Sequence, residues 1–301
     1  MLLKERTESD ELKTLRSLNT RMDLSDKDKV HYYSLEKGYA GELLFDKHLE
    51  SLQEDCYIIS DLLLELHGSY FQIDSLVISQ GILHLFDTKN FQGDFCLDSD
   101  KLYSLTTNRE YKNPVDQLKR CESLTRQLLQ SLKQHYSIQA EIVFVNPEFT
   151  LYQAPMNLPI IFPTQINRLI NDLNSKPSVL GEKDKKLANQ LISLHQTKNP
   201  FAKISTYTYD QLQKGVTCGE CRSFLVKIKD RKCMCEKCGY EEFVSEAVIR
   251  SVNEIKLLFP NKKITNNLVY DWCKIVPHRR VGQILGRHYK VNGVRQWAYY
   301  E

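Results

Sequence analysis

Two apolar segments separated by two residues constrain the fold of this 301-residue chain more than any other feature. Residues 70–79 and 82–88 are rich in Ile, Val, Leu and Phe, which is typical of strands. Gln80 and Gly81 form a connection that is short enough for a hairpin, so we expect the two segments to pair antiparallel. In such a hairpin, Asp74 lies on the first strand.

The segments around this hairpin predict an α/β domain. Apolar residues at three- and four-residue steps in residues 45–52 predict an amphipathic helix before the hairpin. Asn113 and Pro114 have the N-cap and first-turn chemistry that begins a second helix. Residues 141–145 are predicted to form a short apolar strand. The order of helix, hairpin, helix and strand is typical of a mixed sheet flanked by helices.

Four charged residues in this region have the chemistry of a metal site. Because side chains alternate along a strand, Asp87 and Lys89 share a face, which Asp74 can approach if the register allows. Carboxylates are hard oxygen ligands that suit Mg²⁺ or Mn²⁺. Such an ion polarises a phosphoryl oxygen, and Lys89 would be a point charge at the developing phosphorane. Glu42 lies on the apolar stripe of its helix, where an unpaired carboxylate is costly.

A structural explanation competes with this interpretation. An Asp-x-Lys triplet occurs by chance in most proteins of this size, and a buried ion pair would account for Asp87 and Lys89. Glu42 could be a partly exposed residue near a helix start that interacts favourably with the helix dipole. The joint order of a helix acid, a strand acid and an Asp-x-Lys triplet favours the catalytic interpretation.

Four motifs in order resemble the nuclease-related domain (NERD) family, which is placed in the PD-(D/E)xK nuclease superfamily. The motifs are Gly38-x-x-Gly41-Glu42, Phe71-Gln72-Ile73-Asp74, Phe86-Asp87-Thr88-Lys89-Asn90-Phe91-x-Gly93 and Asn113-Pro114-x-x-Gln117. The resemblance covers about residues 30–165. It implies a restriction-endonuclease-like core, with a mixed sheet flanked by helices and a metal-dependent phosphodiesterase site.

The resemblance also implies roles for five residues. Glu42 would be the helix acid, Asp74 and Asp87 the Mg²⁺ or Mn²⁺ ligands, and Lys89 the catalytic lysine. Gln117 would line the site and orient substrate or water, although without the resemblance it could equally be a solvated polar residue. The family more often has Glu at the position of Asp87, and the shorter side chain bears on geometry and metal preference.

Two C-x-x-C pairs separated by thirteen residues predict a tetrahedral Zn²⁺ site of four thiolates. A redox dithiol is the alternative. Cys233 competes with Cys235 as the third ligand, but Cys235 has the two-residue spacing to the next cysteine. Four thiolates leave no open position, so the zinc would be structural and would supply folding energy to a zinc ribbon with little core of its own. The predicted ligands are Cys218, Cys221, Cys235 and Cys238.

Residues 264–290 have the proportions of a helix-turn-helix unit. Val281, Ile284, Leu285 and Tyr289 are expected to face inward on the second helix. Arg and Gln on such a helix can contact phosphates or base edges, although a basic solvated helix on a packing domain is the alternative. Residues 294–299 could form a wing. The residues predicted to contact nucleic acid are Arg279, Arg280, Gln283 and Arg287.

Composition, charge and hydropathy limit the possible partners and the cellular location of this protein. A net charge of +3 means that nucleic-acid binding needs a local basic patch. No apolar run approaches the roughly 20 residues that span a bilayer, and the first residues lack a signal-peptide core. Cys56, Cys96 and Cys121 are scattered and look like thiols in a reducing compartment, so we expect a cytoplasmic protein without a membrane partner.

We therefore expect the protein to be a metal-dependent nuclease that acts on DNA. The alternatives are a catalytically inactive nuclease-fold protein that binds DNA as an adaptor or regulator, and a nuclease directed at RNA. We also expect its chain to divide into five segments. The segments are an N-terminal helical extension (1–36), a nuclease-like domain (37–173), a connector (174–212), a zinc ribbon (213–243) and a winged-helix-like tail (244–301).

Overall fold

A computed structural model describes residues 1–53, 55–98, 100–175, 178–294 and 297–301. It divides into two compact units. The first contains Met1–Glu8 and Tyr33–Phe201, and the second contains Ser9–Tyr32 and Ala202–Glu301.

The helices within these described ranges include those predicted in residues 45–52, from Pro114 and in residues 264–290. None of them is long and apolar enough to cross a membrane. The α-helices are α1 (Asp10–Arg21), α2 (Asp26–Leu49), α3 (Pro114–Ser131), α4 (Ile166–Asn174), α5 (Glu182–Ser193), α6 (Val244–Leu258), α7 (Asn266–Cys273) and α8 (His278–His288).

The strands of the described part of the chain form four separate sheets. They are β1 (Leu2–Lys4), β2 (Tyr57–Leu66), β3 (Ser69–Ser79), β4 (Ile82–Lys89), β5 (Gly93–Asp98), β6 (Lys101–Ser104), β7 (Glu110–Tyr111), β8 (Ser137–Phe144), β9 (Phe149–Tyr152), β10 (Ile160–Ile161), β11 (Val226–Lys229), β12 (Lys232–Cys235), β13 (Glu241–Phe243), β14 (Val291–Asn292) and β15 (Tyr299–Tyr300).

The first unit is built on a mixed sheet with the strand order β1-β2-β3-β4-β8-β10. Strands β2, β3 and β4 pair antiparallel, whereas β1 runs parallel to β2, and β8 runs parallel to both β4 and β10. The predicted hairpin is confirmed, since β3 and β4 are joined by Gln80 and Gly81 with φ of 55° and 73°. Two consecutive residues with positive φ match the right-handed twist of a hairpin.

Helices cover both faces of this sheet, and each face has its own core. On one face, Phe45 of α2 and Ile166 of α4 share a cluster with Phe86. On the other face, Leu128 of α3 and Leu187 of α5 belong to a second cluster. The predicted fold class, a mixed sheet flanked by helices, is therefore confirmed. Helix α5, which falls within the predicted connector, contributes to the second of these cores.

Helix α2 begins earlier than the sequence indicated. The apolar pattern indicated a helix over residues 45–52, but the helix starts at Asp26 and includes Gly38 and Gly41. A Cβ atom on Gly41 would lie 2.5 Å from the Cβ atom of Asn90, just after β4. The glycine therefore permits close packing of the helix against the strand end, and it does not mark a helix start.

The second unit contains the cysteine pairs and the basic tail. Strands β11, β12 and β13 form a small antiparallel sheet. Helices α6, α7 and α8 share one core with it, centred on the fully buried Trp272. The inward face of α8 is confirmed, because Val281, Ile284 and Leu285 are buried and Tyr289 packs against the same core. The predicted wing includes Arg295 and Gln296, which lie outside the described residues.

Candidate active site

The candidate site lies where β3 and β4 separate. The antiparallel ladder between the two strands ends at the Ser75–Phe86 pair. Asp74 and Asp87 are the next residues along the two strands, so the register places them side by side. Asp74 Oδ2 accepts a hydrogen bond of 2.9 Å from the backbone N–H of Thr88. We call this point, where β3 and β4 diverge beyond the Ser75–Phe86 pair, the fork. It brings two acidic side chains together.

Asp87 and Lys89 form an ion pair at this fork. Lys89 Nζ lies 2.6 Å from Asp87 Oδ1, and the side chains are only 17% and 11% exposed. Asp87 Oδ2 is buried and, in the ionised carboxylate, accepts no hydrogen bond from a described residue, whereas the protonated carboxyl can hydrogen-bond Asp74. Burial of a carboxylate oxygen without a partner is costly, and a cation would satisfy it. The donor set of Asp74 and Asp87 therefore fits a divalent metal ion.

Arg6 connects the helix acid to this fork. Its NH1 lies 2.7 Å from Glu42 Oε2, and its Nε lies 2.7 Å from Asp46 Oδ2. Its NH2 donates to the Asp74 carbonyl oxygen at 2.7 Å and to Ser75 Oγ at 3.0 Å. The Arg6 side chain is 2% exposed. One buried guanidinium thus holds α2 against β3 beside Asp74.

Burial and like charge raise the pKa of two carboxyls here. Burial, followed by the Asp74 charge, raises the pKa of Asp87 to about 7, although Lys89 opposes the change. Burial, followed again by Asp74, raises the pKa of Glu42 to about 7 against the effect of Arg6. Burial acts to lower the pKa of Lys89, but Asp87 and Asp74 outweigh it, so the net pKa is raised and the ammonium stays protonated.

We expect the affinity of the site for Mn²⁺ to increase as pH rises through about 7, because Asp87 must lose its proton to bind the ion. Between about pH 4 and pH 7 the folded protein keeps protons that the unfolded chain has released, so these carboxyls make the metal-free protein less stable as pH rises. Calorimetric Mn²⁺ titrations on both sides of neutrality would measure the first effect. Equal affinity at both pH values, or an unchanged pH dependence in Asp87→Asn, would contradict it.

We expect Arg6→Ala to destabilise the first unit by about 3–5 kcal/mol, because it leaves two largely buried carboxylates without their partner. Urea unfolding would measure this loss. Arg126→Ala is the matched control, since it removes an exposed pair with Glu122 one helical turn away, worth only about 0.3–0.5 kcal/mol. Similar losses in both variants would show that Arg6 does not have this structural role.

Gln117 is less closely associated with the carboxylates. Its side chain is exposed on α3. Cys121 lies one turn later on the same helix face. Cys121 Sγ lies 3.4 Å from the carbonyl oxygen of Gln72 on β3, so this face is near the fork, and burial together with the charges of Asp87 and Asp74 raises the pKa of Cys121 to about 12. The role predicted for Gln117 remains a prediction.

Two residues of this site, Asp46 and Arg6, were missed from the sequence. Asp46 stands four residues after Glu42, and this spacing could have indicated a shared helix face. Arg6 carries no local signal, because it is 36 residues from Glu42 in the chain. Among the described residues, Glu42, Asp74 and Asp87 do not converge into one group of three ligands that could hold a metal ion. A metal held by the fork would rely on Asp74 and Asp87.

The four predicted zinc ligands do form such a group. The Sγ atoms of Cys218, Cys221, Cys235 and Cys238 all lie within 4.8 Å of one another. Two of the Sγ–Sγ distances, Cys218–Cys238 and Cys221–Cys235, are 3.6 Å. A tetrahedral zinc with Zn–S bonds of about 2.3 Å places its sulfurs about 3.8 Å apart. The cluster is therefore compatible with a structural zinc ion.

The structure places Cys235, and not Cys233, with the other three thiols. Both lie on β12, and Cys235 joins the other three thiols whereas Cys233 does not. Burial raises the pKa of Cys233 to about 11. Burial acts in the same direction on Cys235, but backbone N–H groups of Cys238 and Lys237 outweigh it and lower the pKa of Cys235 to about 7. Such amides favour the thiolate that binds metal.

The residues predicted to contact nucleic acid lie together on α8. Arg279, Gln283 and Arg287 are exposed, and Arg280 is partly exposed. All four line one groove of the second unit.

The fold and its fork of acidic residues define a mixed α/β domain with a carboxylate–lysine cluster at the sheet. The family described as the nuclease-related domain matches residues 37–145. Those residues are thus a nuclease-related domain, and the resemblance inferred from the motifs is confirmed. It indicates a nuclease-related function and nucleic acid as the class of partner. No curated protein and no solved structure matches the chain.

Proposed function

We propose that this protein is a divalent-metal-dependent nuclease that hydrolyses phosphodiester bonds in DNA. The observation that carries the proposal is the buried Asp87 Oδ2, which in the ionised carboxylate accepts no hydrogen bond from a described residue and lies beside Asp74 at the strand fork. Its position within a nuclease-related domain supports the same conclusion. Asp74 and Asp87 would hold Mg²⁺ or Mn²⁺.

The bound ion would polarise a phosphoryl oxygen and favour ionisation of a water molecule. Lys89 stays protonated beside Asp87 and would stabilise negative charge on the phosphate. Arg6 would keep Glu42 and the β3 backbone in place next to Asp74. Gln117, on α3, would contact substrate or water. A structural zinc ion would support the C-terminal part, whose basic residues would bind nucleic acid.

The four clustered thiols must stay reduced to bind zinc, which fits a reducing compartment, and we propose the cytoplasm. Cleavage of a panel of single- and double-stranded DNA and RNA, with Mg²⁺, with Mn²⁺ and without added metal, tests the activity and its preference for DNA. We expect metal-dependent cleavage of DNA. An RNA preference would favour the RNA-directed alternative, because phosphodiester chemistry does not select the sugar.

A second candidate is an inactive nuclease fold that binds DNA as an adaptor or regulator. The observation that favours it is that Glu42 does not join Asp74 and Asp87 in one tight ligand group among the described residues. The shorter side chain of Asp87 acts in the same direction. Metal-independent DNA binding with no cleavage of any substrate in the panel would support this candidate.

A further inference from the structure

A groove in the second unit collects basic residues from two elements. It has a volume of about 750 Å³ and lies between α8 and the turn that joins β11 to β12. Helix α8 contributes Arg279, Arg280, Gln283 and Arg287, and the hairpin turn contributes Arg231. The turn residue was not among those predicted from the sequence, since it is about 50 residues from α8 in the chain.

Among the described residues that line this groove, four are arginines and one, Asp230, carries a carboxylate. Among the described residues, no carboxylate forms an ion pair with any of its four arginines. Asp230 also lines the groove, and its backbone oxygen accepts a hydrogen bond of 2.9 Å from Arg280 NH1. At the start of α8, Pro277 provides no side-chain cap and the first turn has no acidic residue. The positive end of the helix therefore adds to the attraction for anions.

One wall of the groove carries an exposed aromatic ring. Phe243 lies at the end of β13, lines the groove, and is 51% exposed. A basic groove with an exposed aromatic ring has the features that bind unpaired strands, because arginines contact phosphates while an unstacked base lies on the ring. Bases inside a duplex have no free face for such stacking.

We infer that this groove binds a single strand of nucleic acid, with its phosphates on the arginines and a base stacked on Phe243. The inference rests on the proposed function, because it names the strand state of that substrate. A duplex-reading helix must protrude to enter a major groove about 12 Å wide. The basic face of α8 forms instead one wall of a concave groove, and Arg280 joins that wall to the hairpin turn.

Binding is best tested in the full-length, zinc-loaded Asp87→Asn variant, in which cleavage does not interfere. Fluorescence anisotropy would compare labelled strands of about 20 nucleotides with the matching duplex. We expect the single strand to bind at least tenfold more tightly. Arg279→Gln with Arg287→Gln should weaken binding more than tenfold and reduce the slope of log K against log salt by about 0.7 per arginine.

Phe243→Leu keeps an apolar side chain but removes the stacking surface, so single-strand binding should weaken roughly tenfold while duplex binding stays constant. Lys183→Gln is the control, because it removes one exposed charge from α5 in the other unit. Circular dichroism would verify that each variant is folded.

Three outcomes would overturn the inference. The first is that the duplex binds as tightly as the single strand or more tightly, and the second is that Phe243→Leu has no effect. The third is that polyglutamate competes as strongly as unlabelled single strand, which would indicate a surface that binds acidic proteins. Separate DNA and RNA probes show which sugar the groove prefers. If the wild-type protein cleaves no substrate, the nuclease proposal is refuted but these binding results still stand. The two failures can therefore be distinguished.

Discussion

Asp87→Asn should lower the rate of metal-dependent DNA cleavage by about 10²–10³-fold or more. The substitution keeps the shape of the side chain but removes the charge of a carboxylate whose buried Oδ2 accepts no hydrogen bond from a described residue when it is ionised. An amide is a weaker ligand for Mg²⁺ or Mn²⁺, so metal affinity should fall together with the rate. Single-turnover cleavage and calorimetric Mn²⁺ titration would measure the two effects separately.

Lys89→Met should give a different pattern. Its ammonium lies 2.6 Å from Asp87 Oδ1, so its removal should lower the cleavage rate by a similar factor without loss of metal affinity. Because Lys89 opposes the rise in the pKa of Asp87, this variant should be assayed above pH 7, where the carboxyl is ionised.

The matched control for these variants is Asp94→Asn, which changes an exposed aspartate on β5 and should cleave at the wild-type rate. Wild-type cleavage rates in both Asp87→Asn and Lys89→Met would refute the proposed active site. Loss of rate in all three variants would indicate a general defect of folding.

Loss of the zinc site should have the largest effect on folding. Cys235→Ser should eliminate stoichiometric zinc and unfold β11–β13, because structural zinc in such small modules contributes about 10–16 kcal/mol of apparent binding free energy. The strands share their core with α6, since Cys218, Val226 and Cys235 pack in the same cluster as Val248. The rest of the second unit should therefore lose stability as well.

The chain offers a close control for that substitution. Cys233 lies two residues earlier on the same strand, is equally buried, and is not part of the thiol cluster. Cys233→Ser should retain one zinc ion per chain. Elemental analysis and hydrogen exchange of β11–β13 would compare the two variants. Equal zinc loss in both, or full zinc content in Cys235→Ser, would contradict the assignment of ligands.

Local sequence patterns predicted the elements that depend on neighbouring residues. The β3–β4 hairpin follows from two apolar segments around Gln80 and Gly81, and the start of α3 follows from Asn113, whose side chain accepts a hydrogen bond of 3.0 Å from the Val115 N–H. The start of α2 was not predictable in this way. Gly41 has a helical conformation, and its role is set by contact with Asn90, which lies far away in the chain.

The sequence alone was sufficient to identify the nuclease-related domain, the four thiols of the zinc cluster and the inward face of α8. Each depends on spacing along one segment, and strand and helix periodicity translate such spacing directly into geometry. The pairing of Asp74 with Asp87, the partner of Glu42 and the basic groove required the tertiary structure. Sheet register and helix packing determine which distant residues meet and how far water is excluded, and these in turn determine the raised pKa of Asp87.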